Sequence, residues 1–129
     1  MIFEALGGGD QVGGSCYKIE LDGKTLIVDR GAAFDRKGQT IIPDMGQLDG
    51  LDAVFITHGH NDHMAALPEL AKRFPEVPIF MTAITAKLVK VLLGNMLAIG
   101  QRANRPIWFT KDDLFELLHR RIRLMEFGP

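Results

Sequence analysis

The stretch Asp52-Ala-Val-Phe-Ile-Thr57-His58-Gly59-His60-Asn61-Asp62-His63 decides how this chain is read. Its first half is a short apolar run with the β-branched and aromatic content of a buried strand. Its second half holds three of the chain's four histidines, with a carboxylate between the second and the third. Side chains on a loop at the end of a rigid strand are held by the scaffold and stay reachable. Neutral imidazoles and carboxylates suit zinc and related divalent ions. If 58–60 is extended, His58 and His60 point to one side and can share an ion. Asp62 and His63 lie in the turn that follows and can reach a second. A two-metal centre of this kind activates a water and clamps both oxygens of a displacement, with Asp62 placed to accept a proton from that water. Chance clustering of hydrogen-bonding histidines is the competing reading. Three histidines and an aspartate within residues 58–63, at a strand end, make it the weaker one.

Outward from the loop, Met64 to Leu70 reads as a turn leading into a helix. Pro68 loses a hydrogen bond anywhere but a first turn, so one helical turn at 62–66 is followed by a helix to about Phe74. Leu67, Leu70, Ala71 and Phe74 share a face of it. Upstream, Ser15–Leu21 and Lys24–Asp29 alternate as strands around Asp22-Gly23, a hairpin signal. Asp29 ends the second strand, either as a turn residue or as a buried carboxylate that orients the histidine loop. Residues 2–6 look like a first strand. Gly7 to Gly14 is glycine-rich, a flexible loop or a close backbone approach to a ligand, and it lacks the spacing of a phosphate-binding P-loop. Residues 32–50 read as irregular, with one short strand at Thr40-Ile-Ile.

Downstream, Pro78 to Thr82 is a strand, and a helix from Ala83 to about Leu97 carries an apolar stripe of Leu88, Val91, Leu92 and Met96. Residues 100–106 form a polar connection whose Arg102 and Arg105 read as solvated in preference to phosphate-binding. Ile107-Trp-Phe is a short extended piece. Thr110 caps a helix to about Arg121, and Ile122 to Phe127 is a last strand. This order implies an α/β domain with a mixed sheet and flanking helices.

At 129 residues the chain is one domain's worth, and 47% hydrophobic with 24% charged residues is ordinary for a globular protein. A net charge of -1 gives no overall basic signature, so nucleic acid is not argued by charge alone, although a basic surface can be local. The single Cys16 can form no internal disulfide. The N-terminus has neither the basic nor the apolar region of a secretory signal. The apolar segment around Leu88 to Ile99 is interrupted by Lys90, Gly94 and Asn95 and reads as too short and polar to span a bilayer. The expected location is the cytoplasm.

Thr57-His58-Gly59-His60-Asn61-Asp62-His63 matches the T-H-x-H-x-D-H signature of the metallo-β-lactamase superfamily. Val12-Gly-Gly-Ser-Cys-Tyr17, Leu26-Ile-Val-Asp29 with Gly31, Ala66-Leu67-Pro68 and Pro78-Ile-Phe-Met-Thr82 resemble its β-CASP branch of RNA-processing nucleases. The resemblance covers most of residues 5–90. It implies an αββα sandwich of which this chain is the N-terminal half, and two zinc ions in the complete enzyme. His58 and His60 would bind one zinc, Asp62 and His63 the other, and Asp29 would support the metal loop. Arg30 stands where many members have cysteine, a difference of packing more than of chemistry.

The family needs further ligands, and His119 falls inside a predicted helix where a packing or surface role is expected. Residues 1–129 therefore read as a partial domain without the downstream ligand strands and the β-CASP insert. The sheet face that should meet a second sheet would be exposed, so a homo-oligomer through that face is expected, together with a weak or empty metal site and no activity for this chain alone. For the parent protein the resemblance implies a zinc-dependent phosphodiesterase acting on RNA, with DNA less favoured, a reading to which Ser15-Cys16-Tyr17 adds. The alternatives are a thioester or lactone hydrolase of the wider superfamily and a non-catalytic scaffold.

Overall fold

In the computed structural model, residues 1–8, 13–37 and 39–126 are described. The middle of the glycine-rich loop, residues 9–12, and Phe127 of the expected last strand lie outside them. Strand β1 (Ile2–Gly7) pairs antiparallel with β2 (Cys16–Leu21), which pairs antiparallel with β3 (Lys24–Val28). Asp22 and Gly23 join β2 to β3 with φ of 51° and 77°, the left-handed pair that matches the twist of a two-residue hairpin. The connection after β3 holds a small antiparallel pair, β4 (Ala33–Phe34) with β5 (Thr40–Ile41). Only β5 was expected, within the Thr40-Ile-Ile run.

From β6 (Ala53–Phe55) onward the sheet is parallel, through β7 (Ile79–Thr82) and β8 (Ile122–Met125), in the order β1-β2-β3-β6-β7-β8. Helices make the crossovers: α1 (Asn61–Met64), α2 (Leu67–Arg73), α3 (Ala83–Ala103) and α4 (Lys111–Glu116), the last closed by a π-helical turn at Leu117–Arg121. Pro68 sits in the first turn of α2, where its missing N–H has no partner to lose. Thr110 and Asp113 cap α4 reciprocally, each side chain accepting from the other's backbone N–H, at 3.1 and 2.9 Å. Ile107-Trp-Phe joins no ladder; Phe109 is buried in the core, and Ile107 and Trp108 pack against it.

The register divides the sheet into two unlike faces. On one, Cys16, Ile27, Val54, Ile79 and Met81 are fully buried in a core shared with Met64, Leu67 and Leu70 of α1 and α2 and with Val89 and Leu93 of α3. The other face carries the cross-strand row Ala5, Tyr17, Val28, Phe55 and Phe80, flanked by Phe3 and Ile19. Phe55 stacks on Phe80 at 5.2 Å and Phe3 on Tyr17 at 5.6 Å, yet Phe3 remains 62% exposed.

Helix α3 differs from its sequence reading in length and in phase. It runs to Ala103 and ends at Asn104, whose φ of 53° stops it in a left-handed cap. With 21 residues it is, by length and composition alone, long and apolar enough to cross a bilayer, where the segment around Leu88 to Ile99 read as too short and polar. Of its most apolar window, 22% is buried inside the fold. The buried stripe is Thr85, Val89 and Leu93; of the expected stripe, Leu92 and Met96 pack half-buried against the core, while Leu88 and Val91 are 42% and 55% exposed. The helix has apolar residues on more than one stripe. The Thr82 side chain caps the helix directly after β7, accepting from the Thr85 N–H at 3.2 Å.

Candidate metal centre

The centre starts at the end of β3. Asp29 takes a φ of 64°, in the small left-handed region that aspartate tolerates better than most residues. Its N–H donates to the Phe55 carbonyl at 2.8 Å, which carries the β3–β6 pairing one residue further. Its carboxylate is 2% exposed and faces the residues that follow β6. Oδ1 accepts the Thr57 backbone N–H at 2.7 Å, and Oδ2 accepts the Thr57 hydroxyl at 2.7 Å. The same Oδ2 lies 2.6 Å from His63 Nδ1.

These bonds assign the imidazole tautomers. The one hydroxyl hydrogen of Thr57 goes to Asp29, so its oxygen, 2.9 Å from His58 Nδ1, accepts a proton held on that nitrogen. His63 Nδ1 likewise donates to Asp29 Oδ2. Both rings then present Nε2 with a free lone pair, the state a metal requires. The His58 ring centre is 4.0 Å from that of His63 and 4.7 Å from that of His60, and Asp62 Oδ2 lies 3.4 Å from His63 Nε2. The motif's three histidines and its aspartate thus gather at one end of the sheet.

Ligand atoms of Asp29, His58 and His63 lie within 4.8 Å of one another. Asp29 has committed both oxygens to Thr57 and His63, which makes it an orienting acceptor. The donor set left free, imidazole nitrogens plus the Asp62 carboxylate, is of the kind that holds zinc. His119 is exposed beside Phe115, with ring centres 4.3 Å apart, and stands outside the cluster. The part of Thr57 was missed in the sequence: a threonine before a histidine carries no signal that it links an aspartate 28 residues upstream to the ring.

The segment after Asp29 holds the motif loop by its backbone. Ser15 N–H donates to Asp62 O at 2.9 Å, Arg30 N–H to His63 O at 2.9 Å, and Ala32 N–H to Asn61 O at 3.1 Å. Arg30, 2% exposed, pairs with Glu69 at 2.9 Å and donates to the Pro43 carbonyl at 2.6 Å. Cys16 is fully buried nearby, and burial pushes its thiol up to about 11, against a smaller opposing pull from Arg30. About one thiol in a thousand would then be thiolate at pH 8. We expect Cys16 to resist a disulfide reagent in the native protein at that pH and to react promptly in urea. Equal rates in the two states would contradict its placement.

Removing one acceptor tests the orienting role of Asp29. Asp29→Asn turns one carboxylate oxygen into a donor, so Thr57 and His63 cannot both keep their bonds. Zinc affinity of the full-length protein should fall about 10–100-fold with little change in its circular dichroism. An unchanged zinc titration would show that the carboxylate does not act on the ligands.

Residues 9–126 match the family model described as the metallo-beta-lactamase superfamily. Probable RNase MJ4 of Methanocaldococcus jannaschii is 36% identical over 114 residues, which make up 88% of this chain and 26% of that protein. Endoribonuclease ysh-1 of Neurospora crassa is 34% identical over 88% of this chain and 14% of its own length. The chain thus spans about a quarter or less of the curated relatives it matches first. Among solved structures, an archaeal metallo-beta-lactamase superfamily protein from Sulfolobus tokodaii superposes with a TM-score of 0.56 at 17% identity, over 95% of this chain and 48% of that one. With the histidine loop at the end of β6 and the sheet order in place, the chain belongs to the metallo-β-lactamase superfamily, and within it resembles the N-terminal part of the β-CASP ribonucleases.

Proposed function

We propose that the full-length protein is a zinc-dependent ribonuclease that hydrolyses phosphodiester bonds, and that this chain contributes its first metal loop. The observation that carries the reading is the identity to relatives named as ribonucleases, 36% over 88% of the chain, coupled to a motif whose two Asp29-linked tautomers leave Nε2 free. His58, His60, Asp62 and His63 are the proposed zinc ligands, His58 and His60 serving one ion and Asp62 and His63 the other. Zinc, when bound, supplies positive charge for the scissile phosphate and lowers the pKa of water.

The chain's own groups do the rest. Asp29 and Thr57 hold the rings in one orientation, and Asp62 Oδ2, beside His63 Nε2, accepts the proton of the attacking water. One loop offers too few ligands to close two zinc shells, so residues 1–129 alone are proposed to bind zinc weakly and to be inactive. Self-association through the open face with Phe3, Tyr17, Phe55 and Phe80 is proposed for the isolated chain, and a monomer by light scattering at micromolar concentration would overturn it.

The test of function is an assay of the full-length protein on a single-stranded RNA and on a thioester, with its zinc content measured. RNA cleavage that is lost on chelation and restored by zinc is the expected result. Cleavage of the thioester alone would replace this reading with the wider-superfamily hydrolase, and no zinc at neutral pH would favour a scaffold.

A further inference from the structure

A second feature lies beside the metal loop and belongs to none of the motifs. The hairpin of β4 and β5 and the connection from α3 to α4 enclose a cleft of about 750 Å³, lined by Lys37, Gln39, Ile42, Arg105 and Trp108 among others. Its volume is in the range of small-molecule sites, about 300–1,000 Å³. Each wall carries backbone hydrogen bonds. The Asp35 carboxylate accepts the backbone N–H of Lys37 at 2.9 Å and of Gln39 at 2.8 Å, which clamps the hairpin turn. On the other wall the Arg105 N–H closes the end of α3 on the Gly100 carbonyl at 2.9 Å.

The indole is held by a hydrogen bond as well. Trp108 Nε1–H donates to the Ala65 carbonyl at 2.9 Å, two residues after His63. Its ring is half-buried and lines the cleft, while Lys37 and Arg105 are exposed. Among the described residues the lining includes two cations and no carboxylate. An anchored aromatic side chain lining the same cleft as two exposed cations is the pairing that single-stranded nucleic acid uses, bases stacking on the ring and phosphates meeting the charges.

We propose that this cleft is a subsite for one nucleotide of single-stranded RNA, its base against the Trp108 indole and its flanking phosphates on Lys37 and Arg105. The inference rests on the ribonuclease reading above and adds where the substrate is held. Because Trp108 is tied to the carbonyl of Ala65, the strand is anchored on the segment that carries His63.

The test uses the full-length protein and a single-stranded 2′-O-methyl oligoribonucleotide, which resists cleavage, with fluorescence anisotropy read at several salt concentrations. The double variant K37A/R105A should bind about tenfold more weakly, and its log Kd should depend less steeply on log salt, by about 1.4 for two phosphate contacts. Trp108→Leu should also weaken binding about tenfold through lost stacking. Zinc content and thermal midpoint of the double variant should match those of the wild type, since both side chains are exposed. Unchanged affinity and salt slope in the double variant, with the wild type still cutting RNA, overturn the subsite alone. A fall in zinc content parallel to the fall in affinity also overturns it, because the cations would then be acting through the metal loop. A wild type that neither binds nor cuts RNA removes the subsite and the ribonuclease reading together.

Discussion

Asp62→Ala or His63→Ala in the full-length protein is expected to lower RNA cleavage at least about a thousandfold while leaving the fold in place. Activity depends on the side chains and the fold on the backbone. Asp62 and His63 side chains are 44% and 22% exposed, and neither is a core packing element. Their carbonyls are the structural parts, accepting the N–H of Ser15 and of Arg30 at 2.9 Å each, and alanine keeps both bonds. Asp29 retains both bonds from Thr57 when His63 is truncated. Circular dichroism and thermal midpoint should stay close to the wild type, with cleavage and part of the zinc gone. Retained cleavage in either variant would overturn the two-metal assignment.

Gly31→Ala is expected to do the reverse and break the fold around the centre. A Cβ at residue 31 would overlap the carbonyl of Asp62 and crowd the backbone nitrogen of His63. Neither is the end of a side chain that can swing aside. The same Asp62 carbonyl accepts from Ser15, and Gly31 itself donates to Ser15 O at 2.9 Å, so moving the loop away strains several backbone bonds together. Overpacking usually costs about 1–3 kcal/mol. With backbone on both sides we expect a loss at the top of that range or beyond, read as an earlier urea transition and as zinc released at lower urea. A variant that unfolds and releases zinc with the wild type would show that the loop does not approach residue 31 this closely.

Some of the site was readable residue by residue. His58, His60, Asp62 and His63 follow one another in sequence, so a metal loop was visible as a pattern, and the apolar run before it placed that loop at a strand end. The β2–β3 hairpin and the start of α2 at Pro68 were readable for the same local reason. Asp29 was left between a capping and an orienting role, because its partners Thr57 and His63 lie 28 and 34 residues away. Arg30 looked like a change of packing, and it became a buried cation held by Glu69 and Pro43 only once the chain had folded.

The amino-acid order by itself determined the α/β class, the strand that leads into the histidines and the donor types clustered after it, because period, turn residues and adjacent side chains are local properties. Tertiary structure decided what local order leaves open. It chose the stripe of α3 that turns inward, by packing Val89 and Leu93 into the core shared with the sheet and with α1 and α2. It set the tautomers of His58 and His63 through a carboxylate from another strand, and it brought Lys37 and Arg105 to opposite walls beside Trp108. Each of these depends on groups far apart in the chain, which only the closed sheet and its packed helices bring within bonding distance.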